Sequence, residues 1–217
     1  MNNEETIEVL RTYLPKYLTP EPLEKLISNI KEDFPHSGKS EIMYIQIDDS
    51  LFYQGDALID LPYAAFEKGK FEAVNINGIL ATNTCDISTE NQRLEPFDIQ
   101  FFVIYSLNEY TTHLRKVGKS EDRIDSFKSS LKSNKVTNLL YLPELKLSDK
   151  IILEESFVRF DKTSSIPIST LDSRTFNKKY QPYGDRLFTL SNYGFYLFLT
   201  KLSIHYCRFK EGVFRNN

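Results

Sequence analysis

The sequence predicts an α+β protein: a small, curved, mainly antiparallel β-barrel with helices at both ends and one inserted. Three observations carry this. Short runs of aromatic and β-branched residues with a period near two crowd into residues 41–107. Apolar stripes at 3–4 spacing occupy residues 1–34 and the stretch from about 190 to 209. The 16 Phe and 13 Tyr, with no Trp, exceed what a helical bundle needs and favour strands. With 217 residues, 41% of them hydrophobic, the chain can bury one large core. The expected organisation is a helical appendage at 1–35 and a barrel-like domain at 36–217, with a helical insert at about 108–134.

The elements follow in order. Ile7, Leu10 and Leu14 share a helical face that Pro15 ends. Thr19-Pro20-Glu21 then supplies an N-cap, a proline at the first helical position and an acid in the first turn. Leu23, Leu26, Ile27, Ile30 and Phe34 continue that second helix to Pro35-His36-Ser37-Gly38. Residues 42–47 alternate as a strand, and Gly55-Asp56 reads as a turn between Phe52-Tyr53 and Ala57-Leu58-Ile59. Phe71–Ile76 and Ile79–Thr84 flank Asn77-Gly78, a dipeptide favoured in tight hairpin turns, so a hairpin is expected there. Phe97–Leu107 is a long aromatic strand. Ser120 caps an inserted helix with Glu121 and Asp122 in its first turn, Lys128 and Lys132 near its end, and Ile124, Phe127 and Leu131 as its apolar stripe. Strands return at Val136–Leu142, Ile151–Leu153 and Phe157–Phe160. A helix capped near Ser191 closes the chain.

Composition narrows the function classes. The net charge of −3 conceals a split, with a balance of −10 over residues 1–100 and +7 over residues 101–217. A basic second half suits phosphate or an acidic partner, and mutual neutralisation of the halves explains the split equally well. Two distant cysteines, Cys85 and Cys207, form no C-x-x-C pair and no zinc-ligand spacing. The start, Met1-Asn2-Asn3-Glu4-Glu5, is acidic rather than signal-like, and no stretch has the length and apolarity of a membrane span. The expectation is a cytoplasmic protein with reduced thiols, without membrane contact, metal or cofactor.

Three groups of residues could carry chemistry. Thr82, Thr84, Cys85 and Asp86 follow an apolar strand, where a thiol nucleophile would need His113 or His205 as base. A neighbouring Asp86 works against thiolate formation, and the alternative is a structural cysteine with Asp86 in the turn. On the last helix, Lys201, His205 and Arg208 fall at i, i+4 and i+7 within an apolar face. With Arg186 they could bind a phosphate or carboxylate, or they could be satisfied internally. Between Thr111 and Lys135 there are seven Lys or Arg against three acids. Arg115, Lys116, Lys119, Lys128 and Lys132 are its candidate nucleic-acid contacts, and a solvated amphipathic helix has the same composition. Asp48, Asp49, Asp56 and Asp60 do not have the spacing of a metal box. Gly-rich phosphate loops, dinucleotide fingerprints, His-Glu-x-x-His and Gly-x-Ser-x-Gly are absent from the sequence.

The succession Gly55-Asp56, Leu61-Pro62 and Gly78–Thr84 resembles the MazF/PemK toxins of bacteria and mobile elements, over about residues 51–107. That resemblance implies an SH3-like barrel and cleavage of single-stranded RNA, with Thr82 or Thr84 in place of the family's hydroxyl. Where family members carry an arginine before the apolar strand, this chain has Asn75-Ile76-Asn77. The leading expectation is a non-catalytic prokaryotic binding module that engages RNA, DNA or an acidic protein through its basic second half. A MazF-like ribonuclease or cysteine-dependent enzyme, and an interaction or immunity factor docking through residues 1–34, are the alternatives. The sequence leaves the oligomeric state open.

Overall fold

The computed structural model describes residues 39–47, 51–67, 69–88, 98–169 and 186–206. The helical pair expected over 1–34 lies outside them. Among the described residues the fold is mixed α+β, with a seven-stranded antiparallel sheet, a separate two-stranded sheet and five helices. A short helix α1 (Ser40–Met43) leads into β1 (Tyr44–Ile45). The long strands β2 (Asp56–Glu67) and β3 (Lys70–Leu80) follow, then one helical turn α2 (Thr84–Ile87) and β4 (Asp98–Ser106). The insert holds two helices, α3 (Leu107–Lys116) and α4 (Glu121–Lys132). Beyond it run β5 (Leu139–Leu142), the small hairpin β6 (Leu145–Leu147) and β7 (Lys150–Leu153), the long β8 (Ser156–Pro167), β9 (Arg186–Leu190) and α5 (Asn192–Tyr206).

The main sheet runs β1-β9-β2-β3-β4-β8-β5 and is open, not the closed barrel expected from the strand density. Closure requires the two end strands to pair. Here one end is the two-residue β1, and the other, β5, is packed against the insert by Leu131, Leu139, Tyr141 and Phe157. Helix α5 supplies the cover that a closing sheet would otherwise give. It lays Tyr193, Leu197 and Phe198 on a cluster formed by Ala57, Ile79, Phe102, Phe160 and Phe188.

Alternation along the strands sorts the core into two faces. Ile79 and Phe102 face α5, whereas their neighbours Leu80 and Phe101 join Leu58, Leu61, Ile87 and Ile99 on the opposite side. Gly194 lets α5 come this close, since a Cβ there would sit 2.4 Å from the Met43 carbonyl oxygen. Ser191 caps α5, its Oγ accepting from the Gly194 amide at 3.1 Å, as the sequence predicts.

Two local expectations change. The hairpin turn is not at Asn77-Gly78: β3 runs straight through it, and the chain reverses between Glu67 and Lys70, with Gly69 at φ +80°. Gly78 serves a close approach instead, because a Cβ there would lie 2.8 Å from both Leu61 Cδ1 and Phe101 Cδ2. The inserted helix is a helical hairpin, whose first member α3 is capped by Ser106 Oγ accepting from the Glu109 amide at 3.3 Å.

The last feature is an overhang. β2 and β3 pair with each other as far as Glu67↔Lys70, whereas among the described residues β9 pairs with β2 at 56–58 and β4 with β3 at 78–80. Beyond those contacts residues 61–76 form a two-stranded ribbon, rooted in the core by Leu61.

Candidate functional site

The turn after β3 is tied down by its own polar side chains. Thr82 Oγ1 accepts from the Gln100 amide at 2.7 Å, and Thr84 Oγ1 from the Gln54 amide at 3.1 Å. Asn83 Oδ1 accepts from the Cys85 amide at 2.9 Å, and Gln54 Nε2 donates to the Ala81 carbonyl at 2.7 Å. Both hydroxyls thus join the 51–56 loop and β4 to the end of β3. Cys85 is an exposed cysteine at the start of α2, and Asp86 follows it with its amide donating to the Asn83 carbonyl at 2.9 Å. The candidate bases stand on other elements, His113 on α3 and His205 on α5.

The four residues grouped as a ligand site are divided. Arg208 lies outside the described residues. Arg186, at the start of β9, belongs to a buried knot around Asp56, which is wholly inaccessible. Thr189 Oγ1 donates to Asp56 Oδ1 at 2.7 Å, and the Tyr53 amide donates to Oδ2 at 2.9 Å. Arg186 Nε stands 3.0 Å from Oδ2 as an ion pair. The guanidinium donates to the Ile47 carbonyl at 3.2 Å and to the Leu51 carbonyl, and lies about 6 Å from the Phe52 and Tyr53 rings. Gly55-Asp56 is therefore where the loop, β2 and β9 are joined.

Lys201 is 4% exposed and points into the insert. Its Nζ donates to the Asn134 carbonyl at 2.8 Å and to the Val136 carbonyl at 2.9 Å. Burial pushes the ammonium down to about 8. A cation just past the C-terminal end of α4 also meets the negative end of that helix. Lys201 thus fastens α5 to the loop after α4. His205 packs its ring 6.1 Å from Phe160 and 5.1 Å from Tyr206.

The basic insert is partly self-neutralised. Arg115 grips Glu121 with two hydrogen bonds at 2.8 and 3.1 Å, and Lys128 lies 3.9 Å from Asp125. Lys132 pairs with Glu155, which also accepts from the Tyr141 hydroxyl. Burial works against the Glu155 carboxylate, but Lys132 and Tyr141 outweigh it and hold it below the ordinary carboxylate range. Burial and that same carboxylate push the Tyr141 phenol up. The adjoining cleft, about 370 Å³, mixes Lys128 and Lys132 with Glu144, Glu154 and Glu155, so it offers no field of one sign. Lys116 and Lys119 are exposed at the α3–α4 turn.

The surface that residue-by-residue reading missed is the ribbon. Phe66 and Phe71 face each other across it with centroids 4.8 Å apart, and they are 64% and 78% exposed. The pairs Ala64↔Ala73 and Pro62↔Asn75 share their face, and all four residues are exposed. On the other face Tyr63 pairs with Val74, which is 40% exposed. The signal was present as period-two alternation in Phe66, Ala64 and Phe71, Ala73. Only the tertiary structure shows that these side chains stay exposed.

No protein-family model, no curated protein and no solved structure matches this chain.

Proposed function

We propose that this protein is a non-catalytic binding module that engages another protein through its β2–β3 ribbon. The observation that carries this is the Phe66–Phe71 pair, exposed to solvent at the end of a ribbon that, among the described residues, the sheet holds at its base. Exposed aromatic anchors on a preformed element are what protein interfaces use. Residues 61–76 carry two Lys and two Glu, and such a neutral ribbon gives little attraction for a phosphate backbone. On the insert, Arg115, Lys128 and Lys132 already have carboxylates beside them, which weakens the case for nucleic acid there. The hydroxyls of Thr82 and Thr84 brace backbone amides, which favours a structural role for that turn over the MazF-like or cysteine-dependent alternatives.

The test is a photo-crosslinker placed at Phe71 in the full chain and activated in cells that express it naturally. Discrete protein adducts that disappear when Phe66→Ser is added support the reading. Adducts with RNA or DNA only, or none, overturn it. As a companion measurement, labelled single- and double-stranded RNA and DNA are expected to show no salt-sensitive retention between about 50 and 200 mM salt.

A further inference from the structure

A projecting ribbon has two outer edges, and this one guards only the first. On β2, Pro62 lacks an amide donor, and the register shift between Leu58 and Leu61, with Asp60 at φ +56°, twists the strand. On β3, residues 71–76 (Phe-Glu-Ala-Val-Asn-Ile) contain no Pro, no Gly and one charge. Among the described residues, β4 covers that edge only at Gly78–Leu80. An extended edge with a single charge and no proline or glycine is a template for another strand.

We infer that the occupant is a second copy of this chain, paired antiparallel along residues 70–72 with Phe71 on the two-fold axis. This deepens the interaction reading and rests on it. Two copies meeting along the same edge are related by an axis perpendicular to the sheet, which allows only registers centred on a residue. Centring on Lys70 or Glu72 sets like charges directly opposite each other. Centring on Ala73 leaves Glu72 opposite Val74 and Lys70 opposite Ile76. Centring on Phe71 sets Lys70 of each copy opposite Glu72 of the other, twice by symmetry, which is the complementary arrangement. That register also extends the Phe66–Phe71 contact into a row of four rings, Phe66 and Phe71 of one copy followed by Phe71 and Phe66 of the other.

The test is sedimentation equilibrium of the full chain across a concentration series. Wild type is expected to form a dimer. Lys70→Glu and Glu72→Lys each replace two attractive cross-strand pairs with two repulsive ones, so each raises the dimer Kd by roughly tenfold or more. An equimolar mixture of the two variants regains wild-type affinity, because the acidic edge of one meets the basic edge of the other. The double variant Lys70→Glu/Glu72→Lys does so alone. A wild type that is monomeric throughout, single variants that dimerise as wild type does, or a mixture no tighter than its components overturns the inference. A monomer that still gives a Phe71 adduct with a different protein removes the second copy as occupant and leaves the interaction reading standing.

Discussion

At the scale of single residues, the two most buried charges among the described residues, Asp56 and Lys201, are structural fasteners, and each makes a prediction. Asp56 and Arg186 hold the 51–56 loop between β2 and β9, so removing one partner strands the other in the interior. Asp56→Ala is expected to cost about 3–5 kcal/mol, and the double variant Asp56→Ala/Arg186→Met to cost less, read by urea unfolding. A double variant that costs the sum of Asp56→Ala and Arg186→Met would mean that the charges are not coupled. Lys201 behaves differently because its partners are carbonyls, not a carboxylate. Its folded value of about 8 lies below the ordinary lysine value, so the folded state disfavours the proton. That burden is full below about pH 8 and lifts as pH rises towards 10.5, where the unfolded chain also loses the proton. Relative to Lys201→Met, wild type should therefore gain on the order of 2 kcal/mol between pH 8 and 10. A pH-independent difference between the two proteins would refute this. The charge on an apolar helical face was legible in the sequence. Its partners were not, because Asn134 and Val136 are 67 and 65 residues away in the chain and bond through backbone atoms of any residue type.

At the scale of elements, strand content and helix caps were readable because they are local. Ser191 and Ser106 cap helices through amides three residues on, a relation that sequence spacing contains. The β2–β3 turn was misplaced because Asn-Gly has two uses, a tight turn or a site without a Cβ, and only packing chooses between them. Leu61 and Phe101 press on Gly78 from both neighbouring strands, and the chain reverses at Gly69. The ribbon that results should be nearly independent of the core. Phe66→Ser/Phe71→Ser is expected to change unfolding free energy by about 1 kcal/mol or less, since exposed rings contribute little beyond their mutual contact. A loss above about 3 kcal/mol in thermal or urea unfolding would place the pair in the core and remove the basis for a docking surface.

At the scale of the whole molecule, Arg186 from the basic half of the chain reaches Asp56 in the acidic half, while Lys132 of the insert meets Glu155 within the basic half. The open sheet depends on α5 as its lid, and that helix can lie flat only because Gly194 presents no side chain to Met43. Gly194→Ala should destabilise the protein by about 1–3 kcal/mol or more through overpacking, despite the better helix propensity of alanine. A thermal melt equal to or above that of wild type would show that α5 can shift without loss.

The sequence by itself determined the fold class, the strand-rich centre and the insert, because apolar periodicity and capping act over a few residues. It also marked Lys201 as a charge needing a partner. Tertiary structure decided that the sheet stays open, which carbonyls and carboxylates satisfy those charges, and that Phe66 and Phe71 remain outside. Those outcomes depend on which strands end early and what packs beside them. The Lys201–Asn134 and Thr189–Asp56 contacts join residues more than sixty positions apart, and no local pattern encodes them.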